Sequence, residues 1–143
     1  MPAPQISFHY LTPVNSLRDR ARLKKFLGRL LLSEGKAGGK VAYVFCKDGF
    51  LLNINKEFLQ HHDLTDIISF NLSPAGQPLE GEIYISVERV RENAMRFETS
   101  FLNELHRVIF HGTLHFCGYA DKTAQQRKVM RLQEDLNLGR YFK

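Results

Sequence analysis

Three side chains in the segment His111-Gly112-Thr113-Leu114-His115-Phe116-Cys117-Gly118-Tyr119-Ala120-Asp121 have the types and spacing that metal chemistry requires. On a helix, positions i and i+4 differ by only ~40° around the axis and lie one turn apart, so His111 and His115 project from the same side. Gly118 can reverse the chain just beyond that helix, which returns Asp121 toward the two imidazoles. Two histidines and one carboxylate suit zinc, with water in the remaining position, and the same triad also suits iron(II). Spacing alone gives Asp121 a second reading, because an aspartate just ahead of a helix is a favoured N-cap.

Neighbouring residues define what such a centre could do. Glu104 lies seven residues before His111, a net rotation of only ~20°, so it faces the same side two turns away. It reads either as a carboxylate that orients a ligand or as an ion-pair partner of Arg107. Gly112 occupies the position at which zinc proteases of the H-E-x-x-H type carry their general base, so peptide hydrolysis lacks its usual base. Cys117 reads as a small buried side chain beside the histidines. Thr65 and Ser69 offer hydroxyls on or beside the strand at Ile67 that could approach a substrate, with strand packing or turn formation as their ordinary role.

The elements that must position these residues follow from periodicity. Polar and apolar residues alternate over Gln5 to Tyr10 and Glu82 to Ser86, while Val41 to Cys46 is a run rich in strand-forming residues and Ile67 to Asn71 reads as a further short strand, which predicts four strands. Asp48-Gly49 predicts a tight turn into a further strand from Phe50, with a short helix from Asn55 to His61. Ser16 with Asp19 has the form of a capping box, followed by Leu23, Phe26, Leu27, Leu30 and Leu31 at helical spacing up to Ser33. Val87, Val90, Ala94 and Phe97 predict one further helix. Leu102, Leu105, Val108 and Ile109 predict the next, which carries the histidines and ends at Gly118. A last helix spans Thr123 to Asn137, with Val129, Leu132 and Leu136 expected inward.

Composition narrows the class. The chain has 143 residues, 43% of them hydrophobic and 24% charged, the balance of a soluble globule long enough for a core without disulfides. One mixed α/β domain over residues 1–143 is expected. Cys46 and Cys117 form no C-x-x-C pattern, which excludes a cysteine-rich zinc site and fits a reducing, cytoplasmic setting. No apolar stretch is long enough to span a bilayer. The net charge of +5 is compatible with a polyanionic partner. Arg18, Arg20, Arg22, Lys24, Lys25 and Arg29 gather on the first helix, where they form either a phosphate-tracking face or a solvated outer one.

HGTLHFCGYAD resembles the H-G-x-L-H-x-x-G-Y-D-H signature of the YbeY family of rRNA maturation factors, which are single-strand-specific endoribonucleases with a metal site. Thr65-Asp66-Ile67-Ile68-Ser69-Phe70 is similar to the family's T-D-V-L-S-F strand, and Gly81-Glu82-Ile83 to its G-D-I. Glu104-Leu105 matches a Glu-Leu pair seven residues before the first histidine, and Ile54-Asn55 fits the segment ahead of the T-D strand. The family's third metal-binding histidine falls at Asp121, whose carboxylate can still ligate, and the aspartate preceding it falls at Ala120. An arginine of the family falls at Leu59, so its role toward phosphate does not carry over. His61 and His62, close by, read either as substitutes for that arginine or, the favoured reading, as a solvated loop.

The resemblance implies an α+β fold with a central sheet of about four strands surrounded by helices, the metal-bearing helix packed across it. It implies a zinc-dependent endoribonuclease acting on single-stranded rRNA near the small-subunit 3′ end, with the small ribosomal subunit as partner and a part in ribosome quality control. A noncatalytic ribosome-assembly factor with a structural metal is the competing expectation.

Overall fold

Val41, Tyr43 and Phe45 alternate with half-exposed neighbours along Lys40–Cys46, and all three are fully buried. This strand, β2, lies at the centre of a four-stranded sheet ordered β1-β2-β4-β3, where β1 is Gln5–Tyr10, β3 is Ile67–Asn71 and β4 is Glu80–Ser86. The computed structural model describes residues 2–58 and 65–143. β1, β2 and β4 run parallel, while β3 is the antiparallel edge strand, with Ile67 opposite Ile85 and Asn71 opposite Gly81.

Parallel neighbours require a crossover between them, and this requirement overturns one expectation. The segment after Asp48-Gly49 forms helix α2, Asp48–Phe58, instead of a hairpin and a further strand. Leu51 packs with Cys46 and Ile68, so α2 covers one face of the sheet. The short helix expected to reach His61 coincides up to Phe58 with the second half of α2; its last part, with Leu59 and His61, and the neighbouring His62 lie outside the described residues.

The opposite face carries the main core. Tyr43, Phe45, Ile83 and Ile85 meet Leu23, Leu27 and Leu31 of α1, Arg20–Ser33, and Leu105, Ile109 and Phe110 of α4, Phe101–Phe116. Between β4 and α4 runs α3, Val87–Arg96, whose N-cap Ser86 accepts from the Arg89 amide. Ser16 does not cap α1. Its helical hydrogen bonding begins after Asp19, which sits in the left-handed region and makes no side-chain cap.

The closing helix α5, Ala124–Tyr141, buries Met130, Glu134, Asn137, Leu138 and Tyr141. Val129, Leu132 and Leu136, expected inward, face solvent. Among the described residues no helix is long and apolar enough to cross a membrane.

Candidate metal centre

The last turns of α4 place His111 and His115 on one side of the helix, where Gly112 on the adjoining face packs against the sheet. A Cβ at Gly112 would lie 2.7 Å from Ile67 Cδ1 and 3.1 Å from Ile83 Cγ2. There is no room for the glutamate of an H-E-x-x-H protease, so the missing base is a consequence of close packing. Gly118 then ends the helix with φ +98°, and its amide and that of Tyr119 bond back to the carbonyls of His115 and Leu114. That reversal brings Asp121 over the histidines.

Three acceptor atoms converge there. His111 Nε2 and His115 Nε2 are 3.0 Å apart, and Asp121 Oδ2 lies 3.2 and 3.3 Å from them. These edges are close to the ~3.3 Å that separates neighbouring ligands on a tetrahedral ion with bonds of ~2.0–2.1 Å. The other ring nitrogens are already engaged: His111 Nδ1 donates to Glu134 Oε2 at 2.7 Å, and His115 Nδ1 donates to the Tyr119 carbonyl at 2.9 Å. With both Nδ1 atoms protonated, the neutral rings turn two lone pairs and a carboxylate oxygen toward one point. A divalent cation placed there would meet all three donors at once, so the residues fit a divalent metal ion. His111, His115 and Asp121 are the one group of this kind among the described residues.

The N-cap alternative for Asp121 falls away, because Thr123 caps α5. Its hydroxyl accepts from the Gln126 amide while the Gln126 side chain accepts from the Thr123 amide, a complete capping box. Asp121 is free to face the histidines.

Glu134 is the residue that sequence reasoning missed. Its side chain is 7% exposed, holds His111 with one oxygen and accepts from Arg107 Nη1 at 2.9 Å with the other. Glu104 therefore does not take the orienting role, nor does it pair with Arg107, whose second partner is Asp135 at 2.6 Å. Glu104 is buried near Asp66; burial, reinforced by the Asp66 charge, raises its pKa. Burial likewise raises Asp66, against the lowering effect of His111. For His111 burial favours the neutral ring, but the Glu134 hydrogen bond and charge, with Asp121 and Asp66, outweigh it and hold its pKa above the ordinary value. Burial pushes the Cys117 thiol up to about 12, which makes it a poor ligand and a slow nucleophile.

The helix-α1 cations are largely structural. Arg20 stacks over Tyr10, Arg22 over Tyr141 and Lys24 over Phe8, and Arg22 also bonds the Tyr141 carbonyl. Thr65 and Ser69 line a cavity that also includes His111, His115 and Asp121.

The family model described as endoribonuclease YbeY matches residues 11–141. The chain belongs to the YbeY family. The endoribonuclease YbeY of Flavobacterium psychrophilum is 45% identical over 133 residues, covering 93% of this chain and 94% of that protein. The Flavobacterium johnsoniae protein of the same name is 43% identical over 136 residues, covering 95% and 96%. A Thermotoga maritima protein solved in solution matches with a TM-score of 0.66 at 24% identity, over 94% of this chain and 89% of that one, and it shows the shared fold. The sheet order and the His-His-Asp cluster described above are thus features of a YbeY-family chain.

Proposed function

We propose that this chain is a single-domain, zinc-dependent endoribonuclease that cuts single-stranded RNA, with His111, His115 and Asp121 as the metal ligands. What carries the reading is the convergence of two Nε2 atoms and one carboxylate oxygen, with edges of 3.0 to 3.3 Å, in a chain whose relatives are named endoribonuclease YbeY. When bound, a divalent ion supplies a Lewis acid that activates water near neutral pH and offsets charge building on a phosphodiester. Glu134 and the Tyr119 carbonyl fix the two rings so that each presents Nε2. Asp121 adds negative charge, which strengthens the hold on a divalent cation such as zinc, and at 38% side-chain exposure it leaves the centre open to substrate. The proposed setting is the cytoplasm, with maturation of the small-subunit rRNA 3′ end and ribosome quality control as the process and the small subunit as partner.

The test is cleavage of structured RNAs with defined single-stranded loops, comparing the wild type with His115→Ala at matched zinc. Cuts confined to the loops and lost in the variant are expected. Equal cleavage by both proteins would sink the assignment, and intact RNA with zinc-loaded wild type would favour an assembly factor whose metal is structural.

A further inference from the structure

Two cavities adjoin the His111–Asp121 edge of the metal centre, and they offer a polyanion different side chains. One, of about 940 Å³, follows β3 past Thr65, Ser69 and Asn71 and includes Lys36 and Lys122. The other, of about 420 Å³, lies between α4 and α5 and is lined by Arg107, Arg127 and Arg131 with Asp66, Glu104 and Glu134.

These three arginines are not equivalent. Arg107 is held between Glu134 and Asp135, and its charge is neutralised there. Arg127 and Arg131 sit one turn apart on α5, both exposed, and neither forms an ion pair with a described residue. Arg127 donates Nη1 to the Lys122 carbonyl at 2.7 Å, which braces its guanidinium in the cavity that Asp121 also lines and leaves its other N–H groups for a ligand. Arg131 is near enough to Glu104 for its charge to lower that carboxyl's pKa, yet it donates no hydrogen bond to a described residue.

The acids of the same cavity are engaged elsewhere. Glu134 is matched by Arg107 and His111, Asp121 faces the two imidazoles, Asp66 accepts from Asn93 Nδ2 at 3.3 Å, and Glu104 is buried. Helix α1 offers no competing path, because none of its basic residues lines either cavity.

We propose that Arg127 and Arg131 form a phosphate clamp that grips the RNA backbone next to the phosphodiester held at the metal centre, on the α5 side. The clamp rests on the nuclease reading above. Guanidinium forks match phosphate oxygens in pairs, and a braced fork loses little freedom on binding.

The experiment measures binding of a fluorescein-labelled single-stranded 2′-O-methyl RNA to zinc-loaded protein by anisotropy over a series of salt concentrations, with oligonucleotide integrity checked on a gel. Arg127→Gln/Arg131→Gln should weaken binding, keep the zinc content, and flatten the plot of log K against log salt by about 1.4, or about 0.7 for each of two phosphates. Lys25→Gln/Arg29→Gln on α1 should leave the slope unchanged. Arg127→Lys/Arg131→Lys should restore the slope but only part of the affinity, because an ammonium lacks the fork. Unchanged affinity and slope in the arginine-to-glutamine pair would overturn the clamp. So would an equal loss in the α1 pair, which would reduce the effect to general charge attraction. Because binding is the readout, protein that binds through these arginines but cuts no RNA would overturn the nuclease reading and leave the clamp standing.

Discussion

His111 Nδ1 and Glu134 Oε2 meet at 2.7 Å, joining α4 to α5 across 23 residues of chain. The pair does two things at once. It fixes the tautomer that presents His111 Nε2 to the ion, and through Arg107 it ties the helix carrying the ligands to the helix that closes the site. Carboxylates in this position typically account for about 10–100-fold in metal affinity. Glu134→Ala is expected to lose zinc affinity within that range in a chelator competition. Asp135→Asn, which removes a carboxylate from Arg107 without touching His111, should bind zinc like the wild type. Equal affinity in Glu134→Ala and wild type would show that the hydrogen bond does not prepare the ligand.

The same contact sets a pH dependence. The folded-state pKa of His111 is raised, so in metal-free protein its contribution to stability is complete below the unfolded value of about 6.5 and is lost as pH rises through the folded value. Ligation needs the neutral ring, so the proton competes with the ion at low pH. The melting-temperature gap between zinc-loaded and zinc-free protein should therefore widen as pH climbs from about 6 past the His111 pKa. In Glu134→Gln the widening should begin at lower pH, because the charge that raised the pKa is gone. A gap that stays flat through neutral pH would exclude His111 as a ligand.

Gly112 carries a prediction of opposite sign to helix propensity. Alanine in a helix interior is normally favoured over glycine by about 1 kcal/mol. Here the added methyl meets Ile67 and Ile83, and although the Ile67 Cδ1 end can swing aside, Ile83 Cγ2 is fixed to a buried strand. Gly112→Ala is expected to cost about 1–3 kcal/mol in urea unfolding of metal-free protein, the usual scale of overpacking. A stabilised variant would mean that α4 can shift off the sheet at no cost.

What the sequence disclosed, and what it hid, divides along physical lines. The four strands were legible because each is a short run of strand-forming residues, alternating in β1 and β4 and almost wholly apolar in the central β2, and the His111/His115 pair because a helix has a fixed period. Helix α2 was not, since Asp48-Gly49 carries a hairpin signal while the parallel β2–β4 pairing that forces a crossover is a long-range fact. Asp48 is in fact held by Ser86 and Arg89 across the sheet end. The inner face of α5 was misread for a functional reason. Its buried positions include Glu134 and Asn137, and polar residues placed inward break the apolar stripe from which orientation is inferred. Leu132, at 60% exposure, then looked like core.

Asp121 and Thr123 allow the sharpest separation of roles, since two residues that could each have capped α5 do different work. The capping box belongs to Thr123 and Gln126, while Asp121 Oδ2 lies 3.2 and 3.3 Å from the two imidazole Nε2 atoms. Thr123→Ala should therefore lower the stability of metal-free protein by about 1 kcal/mol and leave zinc affinity unchanged. Asp121→Asn should do the reverse, because asparagine keeps the shape but not the charge that makes a carboxylate a strong ligand for a divalent ion. Asp121→His restores an imidazole donor of the kind already present twice, so it should retain zinc binding where Asn loses it. Zinc titration and apo-protein melting of the three variants check this pattern. Wild-type zinc affinity in Asp121→Asn would remove the carboxylate from the centre and leave two histidines too few to hold the ion alone.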